Sequence, residues 1–378
     1  MKIMSVVGAR PNFVKIAPFI EAVRERDDLE HILVHTGQHY DDAMSKQFFQ
    51  ELSIPYADIN LGVGSGTHAE QIARTMMAFE PVLLEYTPDW VVVVGDVNAT
   101  SACSQVAKKY NIQVAHIEAG LRSNDMTMPE EINRIITDRL SDLLLVPDCL
   151  SCENLQREGC AEESIKLTGN IMIDTLNAQK PVADLLDPFT LVSENLIEDQ
   201  PPVKPFVDSG FILMTLHRPG NVDNKEIMER FIEWILCVVA CEMLLIWPIH
   251  PRAEKMLKQF GLWDILIDNS NIALTKPLGY RELLCLNSNA RMVLTDSGGL
   301  QEECCVLGTP TMVLRSNTER PITLQENGGT CVLAGNNITV VQEKYAELLK
   351  AIRRPSIPEL WDGHTALRCV DAIVSASV

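Results

Sequence analysis

Short apolar runs recur along this chain, separated by stretches of helical period, and each run ends in a polar or glycine-bearing turn. In the first half the runs lie at 3–7, 31–35, 90–94, 114–117 and 143–146, with helix-period segments such as 13–24, 68–85 and 130–140 between them. A strand apolar on both faces must be covered on both. A parallel sheet with helices above and below does that. The pattern predicts an α/β, doubly wound domain. It breaks at 187–206, where DPFTLVSENLIEDQPPVKPF carries four prolines and no sustained period, and this reads as a linker or an irregular entry to a second domain. The alternation then restarts, with strands expected at 211–216, 243–247, 272–275, 292–294, 311–314 and 330–333 and a last helix at 365–376. Two Rossmann-like halves with a cleft between them is the simplest architecture. Ligands in such sheets bind outside the carboxyl ends of the strands.

The strand ends are rich in functional groups. TDSGGLQEE (295–303) follows the apolar run RMVLT and opens a helix expected to end at Gly308. A glycine turn into a helix aims backbone N–H groups and the positive end of the helix dipole at one spot, which suits a diphosphate. Gly298 and Gly299 supply that backbone, Ser297 adds a hydroxyl, and Glu303 is placed to accept from ribose hydroxyls, as acidic residues do in nucleotide folds. The first strand ends in GARPNFVK (8–15), with Arg10 and Lys15 as cations and Pro11 suited to a first helical position. The third ends in GDVNAT, with Asp96 at the turn, and the fourth in HIEAGLRS, with Glu118 at the exit. MPEEINR (128–134) opens a helix with Glu130 and Glu131, at least one of which is expected only to serve the helix dipole. In the second half FILMTL ends in His217 and Arg218, another strand ends in HPR, and NTERP supplies Arg320. Capping accounts for one such Asp, and a lone strand-end histidine reads as a core residue. Capping does not account for three carboxylates and a histidine at strand exits beside five candidate cations and a glycine turn. A carboxylate near cations ionises more easily and one desolvated beside another carboxylate less easily. Such a set can supply both a base and an acid.

Composition removes some alternatives. The 378 residues allow two or three domains. A net charge of −19 argues against nucleic acid and against an anionic membrane surface, since both need clustered Lys and Arg. The 11 cysteines follow no repeated spacing, and the single CxxC, Cys149 to Cys152, has no second pair. Reduced thiols, no metal and a cytoplasmic setting are expected. The opening MKIMSVVG reads as a strand rather than a signal peptide, and no apolar run reaches membrane-spanning length.

Taken in order, GARPNFVKIAP, GDVNAT, HIEAGLRS, MPEEINR, LHRPGN, HPR, TDSGGLQEE, TERP and the closing WDGHTA resemble the non-hydrolysing UDP-N-acetylglucosamine 2-epimerases over nearly the whole chain. Each motif alone is weak, while the ordered set is specific. The resemblance implies a GT-B fold, two Rossmann-like domains with the active site in the cleft. These would be 1–180, with the C-terminal helix 363–378 packing back on it, and a nucleotide-binding domain at 205–355. It implies an enzyme that interconverts UDP-GlcNAc and UDP-ManNAc for surface polysaccharide precursors, a homodimer, without a redox cofactor.

The family eliminates UDP across carbons 1 and 2 of the sugar, giving 2-acetamidoglucal, then adds it back after protonation on the other face. Motif by motif, Asp96, Glu118 and Glu130 are the implied acid/base groups and His217 the diphosphate contact that assists departure. Arg10, Lys15, Ser297, Gly298 and Gly299 stabilise the leaving group. Glu303 holds the ribose, Arg320 contacts phosphate or sugar, and Tyr280 in PLGYREL packs on the uracil or else belongs to the core. Which carboxylate takes the proton and which returns it stays open.

Gln38 and His39 in GQHYDD match a segment with which many bacterial members bind a second UDP-GlcNAc as effector, but Asp41 stands where a second Gln is usual. A carboxylate near a diphosphate is unfavourable, so strict effector dependence is not expected. Parts of the pattern also resemble the branch that epimerises UDP-2,3-diacetamido-glucuronate, although TERP favours plain GlcNAc. The hydrolysing branch has a different N-terminal motif. A GT-B glycosyltransferase would share fold and nucleotide site, yet has no need of three acid/base groups near carbon 2.

Overall fold

Apolar strands with no polar face can be satisfied only inside a sheet covered on both sides, and the chain builds two such sheets. Its structure, a computed structural model, describes residues 1–37, 52, 54–203, 205–206 and 210–377, the side chains of residues 10 and 11 excepted. The chain divides into two units, Met1–Ala178 together with Pro358–Val378, and Gln179–Ile357.

In the first unit the strands are β1 (Lys2–Val7), β2 (Glu30–His35), β3 (Ile59–Asn60), β4 (Trp90–Val94), β5 (Gln113–Ile117), β6 (Leu143–Val146) and β7 (Ile165–Leu167). They form one sheet in the order β3-β2-β1-β4-β5-β6-β7, with every neighbouring pair parallel. The central strand β4, WVVVV, is buried along its whole length, as the centre of a doubly covered sheet requires. The strand order reverses between β1 and β4. At such a reversal the connections leave in opposite directions and open a crevice at the strand ends. Asn12 closes this corner. Its Oδ1 accepts from the Gly8 and Ala9 amides, and its Nδ2 donates to Val94 O at 2.9 Å.

The second unit repeats the plan. Strands β8 (Phe211–Thr215), β9 (Leu244–Pro248), β10 (Ile272–Thr275), β11 (Met292–Thr295), β12 (Thr311–Val313) and β13 (Cys331–Leu333) form a parallel sheet in the order β10-β9-β8-β11-β12-β13. Here the reversal falls between β8 and β11. Their exits lead to His217 and to Asp296–Ser297.

Every strand expected from the apolar runs is present. β3 and β7, which were not expected, are edge strands of two and three residues, too short to leave a pattern. The 187–206 segment is not an irregular linker throughout. It contains the helix Pro188–Asn195, with the Asp187 side chain accepting from Thr190 N at 2.8 Å, and Leu196 then forms a bridge with Thr275. The Asp-Pro pair is a capping signal that the surrounding prolines obscured.

In the first unit the last helix, Thr365–Ala376, packs on the helix Arg10–Arg24. Its first turn is held by Asp174, which accepts from Thr365 N at 3.1 Å and Ala366 N at 2.7 Å. Trp361, just before it, is buried and donates from its indole N–H to Pro147 O at 2.9 Å. Among the described residues no helix is long and apolar enough to cross a membrane.

Candidate active site

Lys15, Asp96 and Glu118, singled out in the first unit, gather at the β1/β4 reversal. Lys15, in the first turns of the helix that follows β1, reaches Glu118 at the exit of β5, and the two side chains pair directly through Nζ and Oε2. Both are nearly inaccessible, at 7% and 4% side-chain exposure, so neither charge is shared with bulk water. Gly95 makes this pair possible. Its φ is +67°, and a Cβ there would lie 3.1 Å from Lys15 Nζ and 3.2 Å from Glu118 Oε2. Glu118 itself has a φ of 74°, a left-handed conformation that costs a non-glycine residue about 1–3 kcal/mol. Both its amide and that of Ala119 donate to Leu145 O, which holds the strained turn against β6.

Asp96 leaves β4 beside this pair and is gripped by Arg134, whose Nη2 and Nε donate to Oδ2 at 2.7 and 3.1 Å. Arg134 also pairs with Glu131, and Asn133 donates to Asp96 O at 3.0 Å. The helix Pro129–Leu140 thus braces the GDVN turn. Its two glutamates separate cleanly. Glu131 is buried and accepts from the Ser123 and Asn124 amides at 3.0 and 2.8 Å, which makes it structural. Glu130 is half-buried and stays the candidate for chemistry. The Arg10 side chain, Gln38 and His39 lie outside the described residues.

Beneath this cluster lies a network that sequence reasoning missed. His116 has Nδ1 2.6 Å from Asp138 Oδ1 and Nε2 2.9 Å from Gly95 O. Burial pushes the Asp138 carboxyl up, but His116 and Arg122 beside it outweigh that and hold it below the usual range. The two contacts, one at each ring nitrogen, fix the plane of the His116 ring. The network ties the carbonyl of Gly95 to the Gly120 amide, which also donates to Asp138. The turns carrying Asp96 and Glu118 are therefore fixed from below.

In the second unit the glycine turn is as expected. The helix Gly298–Leu307 starts directly after Ser297, whose hydroxyl does not cap it. The first-turn amides have no intrahelical partner by construction. Gly298 is required sterically, since a Cβ would lie 2.6 Å from both Arg320 Nη1 and Glu319 Oε1. Arg320 is buried against the turn and paired with Glu302 at 2.8 Å and with Glu319. Tyr280 is buried at the start of the helix Tyr280–Asn289, with burial first and the neighbouring Glu303 carboxylate next pushing its hydroxyl well above the ordinary range. Glu303 is raised to about 7 by burial, with Glu302 raising it further and Tyr280 opposing.

His217 is more open than Asp96 or Glu118, with 36% of its side chain exposed. Its Nδ1 lies 2.9 Å from Oδ1 of Asp296, a residue inside the TDSGG motif that the sequence reading passed over. The missed partners share one signal. Asp296, Asn133 and Arg134 all stand within one turn of a residue that was picked out, and nothing local shows which long-range partner each one meets.

The chain was compared with known proteins. A family model described as UDP-N-acetylglucosamine 2-epimerase matches residues 21–374. The UDP-N-acetylglucosamine 2-epimerase of Methanocaldococcus jannaschii is 42% identical over 343 residues, 89% of each chain. That of Methanococcus maripaludis is 38% identical over 373 residues, 98% of each chain. The crystal structure of Methanocaldococcus jannaschii UDP-GlcNAc 2-epimerase in complex with UDP-GlcNAc and UDP superposes with a TM-score of 0.88 at 38% identity, covering 99% of this chain and 100% of that one. With a family match of this length and relatives aligned nearly end to end, the chain belongs to the UDP-N-acetylglucosamine 2-epimerase family.

Proposed function

We propose that the protein interconverts UDP-GlcNAc and UDP-ManNAc by elimination of UDP and its re-addition to 2-acetamidoglucal. The observation that carries this reading is the pair of carboxylates at the β1/β4 reversal, each held by a cation: Glu118 by Lys15 and Asp96 by Arg134. In the forward direction one carboxylate takes the proton from carbon 2 as the bond from carbon 1 to the diphosphate oxygen breaks, and UDP leaves. An acid then returns a proton to the opposite face of carbon 2 while the diphosphate oxygen rejoins carbon 1. Asp96, Glu118 and Glu130 share these two transfers. His217, Arg10, Ser297 and the Gly298–Gly299 amides receive the negative charge of the departing diphosphate. Lys15 compensates the buried Glu118, and Arg320 keeps the glycine turn in place. Glu303, set by Tyr280, accepts from the ribose hydroxyls.

Incubation with UDP-GlcNAc in heavy water is expected to place deuterium at carbon 2 of both epimers, read by NMR. Retention of the hydrogen in both would overturn the reading and favour a glycosyltransferase, which moves the sugar without touching carbon 2.

The Glu303 carboxyl supplies a pH signature. A folded-state value of about 7 against 4.5 for the ordinary group means the native protein holds this proton where the unfolded chain has lost it. Its contribution is present below pH about 4.5 and is lost as pH rises through about 7, a difference of about 3 kcal/mol. Glu303→Gln is expected to flatten this part of the pH dependence of Tm and to raise Tm at pH about 8. UDP has the opposite sign, because the carboxylate is the better acceptor for ribose hydroxyls. Affinity should therefore rise with pH through about 7 in the native protein and be weaker and flat in the variant, measured by calorimetry.

The 11 cysteines follow no repeated spacing, which supports a reducing, cytoplasmic setting. We assign the protein there, as a homodimer supplying surface-polysaccharide precursors. Sedimentation at micromolar concentration tests the dimer.

A further inference from the structure

Asp296 is fully buried at the exit of β11 and gathers four donors. Its Oδ2 accepts from Arg218 N at 2.9 Å, His217 N at 3.1 Å and Asn221 Nδ2 at 3.1 Å. Its Oδ1 shares the His217 amide, at 3.2 Å, and faces His217 Nδ1 at 2.9 Å. The three donors on Oδ2 are two backbone amides and a side-chain amide that also donates to Leu314 O at 2.8 Å, so the carboxylate cannot turn without breaking them. Burial pushes this carboxyl up, but the contacts from His217, Arg218 and Asn221 outweigh it and keep it below the ordinary range. The carboxylate is thus an acceptor on both oxygens, and the histidine nitrogen opposite Oδ1 must carry its hydrogen. The ring packs beside His250, with centroids 5.7 Å apart. With Nδ1 committed, Nε2 is the nitrogen that can meet a ligand.

We infer that Asp296 is a positioning residue for the epimerisation: it locks His217 in one orientation with Nδ1 protonated, so that Nε2 is presented to the leaving diphosphate. The inference rests on the proposed function for its consequence, though not for its geometry. The contact at Nδ1 fixes the plane of the ring, so Nε2 keeps one direction toward a ligand. Sheet order explains the placement. β8 and β11 are neighbours at the reversal, and their exits bring together residues 79 positions apart.

Asp296→Asn tests this sharply because the donors on the two oxygens differ. The amide oxygen is expected to take the Oδ2 position, where three donors wait, which puts the NH2 group opposite His217 Nδ1. Two donors cannot face each other, so His217 must give up its Nδ1 hydrogen or swing away. In the resting protein, long-range 1H–15N correlation of 15N-histidine, with His217 assigned by its loss in His217→Asn, is expected to show Nδ1 protonated. In Asp296→Asn that hydrogen bond should be lost and the ring should lose its fixed orientation. kcat should fall about 10²-fold with UDP affinity within about threefold. The double variant Asp296→Asn/His217→Asn should be no slower than His217→Asn alone, since the carboxylate acts only through the ring.

A bare Nδ1 in the unsubstituted protein overturns the inference even if the variant fails to fold. So does a double variant whose loss is the product of the two single losses, which would mark Asp296 as a support for the fold alone. A protonated Nδ1 in a protein that exchanges no hydrogen at carbon 2 would leave the lock standing and refute the epimerase reading instead.

Discussion

Glu118→Gln is expected to lower kcat by about 10²–10⁴-fold while changing UDP affinity by no more than about threefold, because a group that moves a proton acts on the transition state and an amide cannot replace it. Stability should fall as well, by about 1–3 kcal/mol, since Lys15 keeps a hydrogen-bond acceptor but loses its counter-charge at a site with 7% exposure. Separating the two effects matters. Single-turnover rates measured at a temperature where the variant is fully folded report the chemistry, and chemical denaturation reports the lost pairing. Asp96→Asn and Glu130→Gln belong in the same series. If all three amide variants keep near-normal rates of deuterium incorporation at carbon 2, the proposed acid/base assignment is wrong. A loss confined to KM would place these carboxylates in binding only.

Arg134→Met is expected to be the most disruptive change outside the reacting groups. The guanidinium is 2% exposed and bridges two carboxylates, Glu131 at 1% and Asp96 at 24%. Methionine fills the space but leaves the buried Glu131 side chain with only its two backbone donors. Removing one partner of a buried pair costs about 3–5 kcal/mol, and the retained donors place this case toward the lower end. In a unit of this size that corresponds to a Tm lowered by about 6–12 °C. Turnover should fall further than stability explains, because Asp96 loses the fork that aims it. Arg134→Lys separates the contributions. It restores a charge but not the planar fork that serves two carboxylates at once, so stability should partly return while activity stays low. Equal recovery of both would mean that Asp96 needs only a nearby charge.

The buried networks behind these predictions show how far sequence reasoning extends. The apolar runs place the strands, and glycine and carboxylate at their ends mark the turns that matter. MPEEINR points to two adjacent glutamates without saying which is structural. The answer depends on the 121–128 loop, whose Ser123 and Asn124 amides bond to Glu131. NTERP offers a cation beside a glycine turn, and only packing shows that Arg320 is buried there and paired with Glu302 and Glu319. Tyr280 reads equally as a stacking ring or a core residue until its burial beside Glu303 is seen. The helix Pro188–Asn195 was hidden because prolines flanking a short helix look like the prolines of a loop.

From its sequence alone, this chain had to form two parallel sheets covered by helices, with polar strand exits and a glycine turn opening a helix. Those features follow from burial of short apolar runs and from turn stereochemistry, and both act over windows of a few residues. Tertiary structure decided which exits meet. It set β1 beside β4 and β8 beside β11, paired Lys15 with Glu118 across 103 positions, and brought Asp296 to His217 across 79. Strand order depends on chain crossovers and on the packing of whole helices, which no local pattern records, so the charge partners that orient each functional group emerge only in the fold.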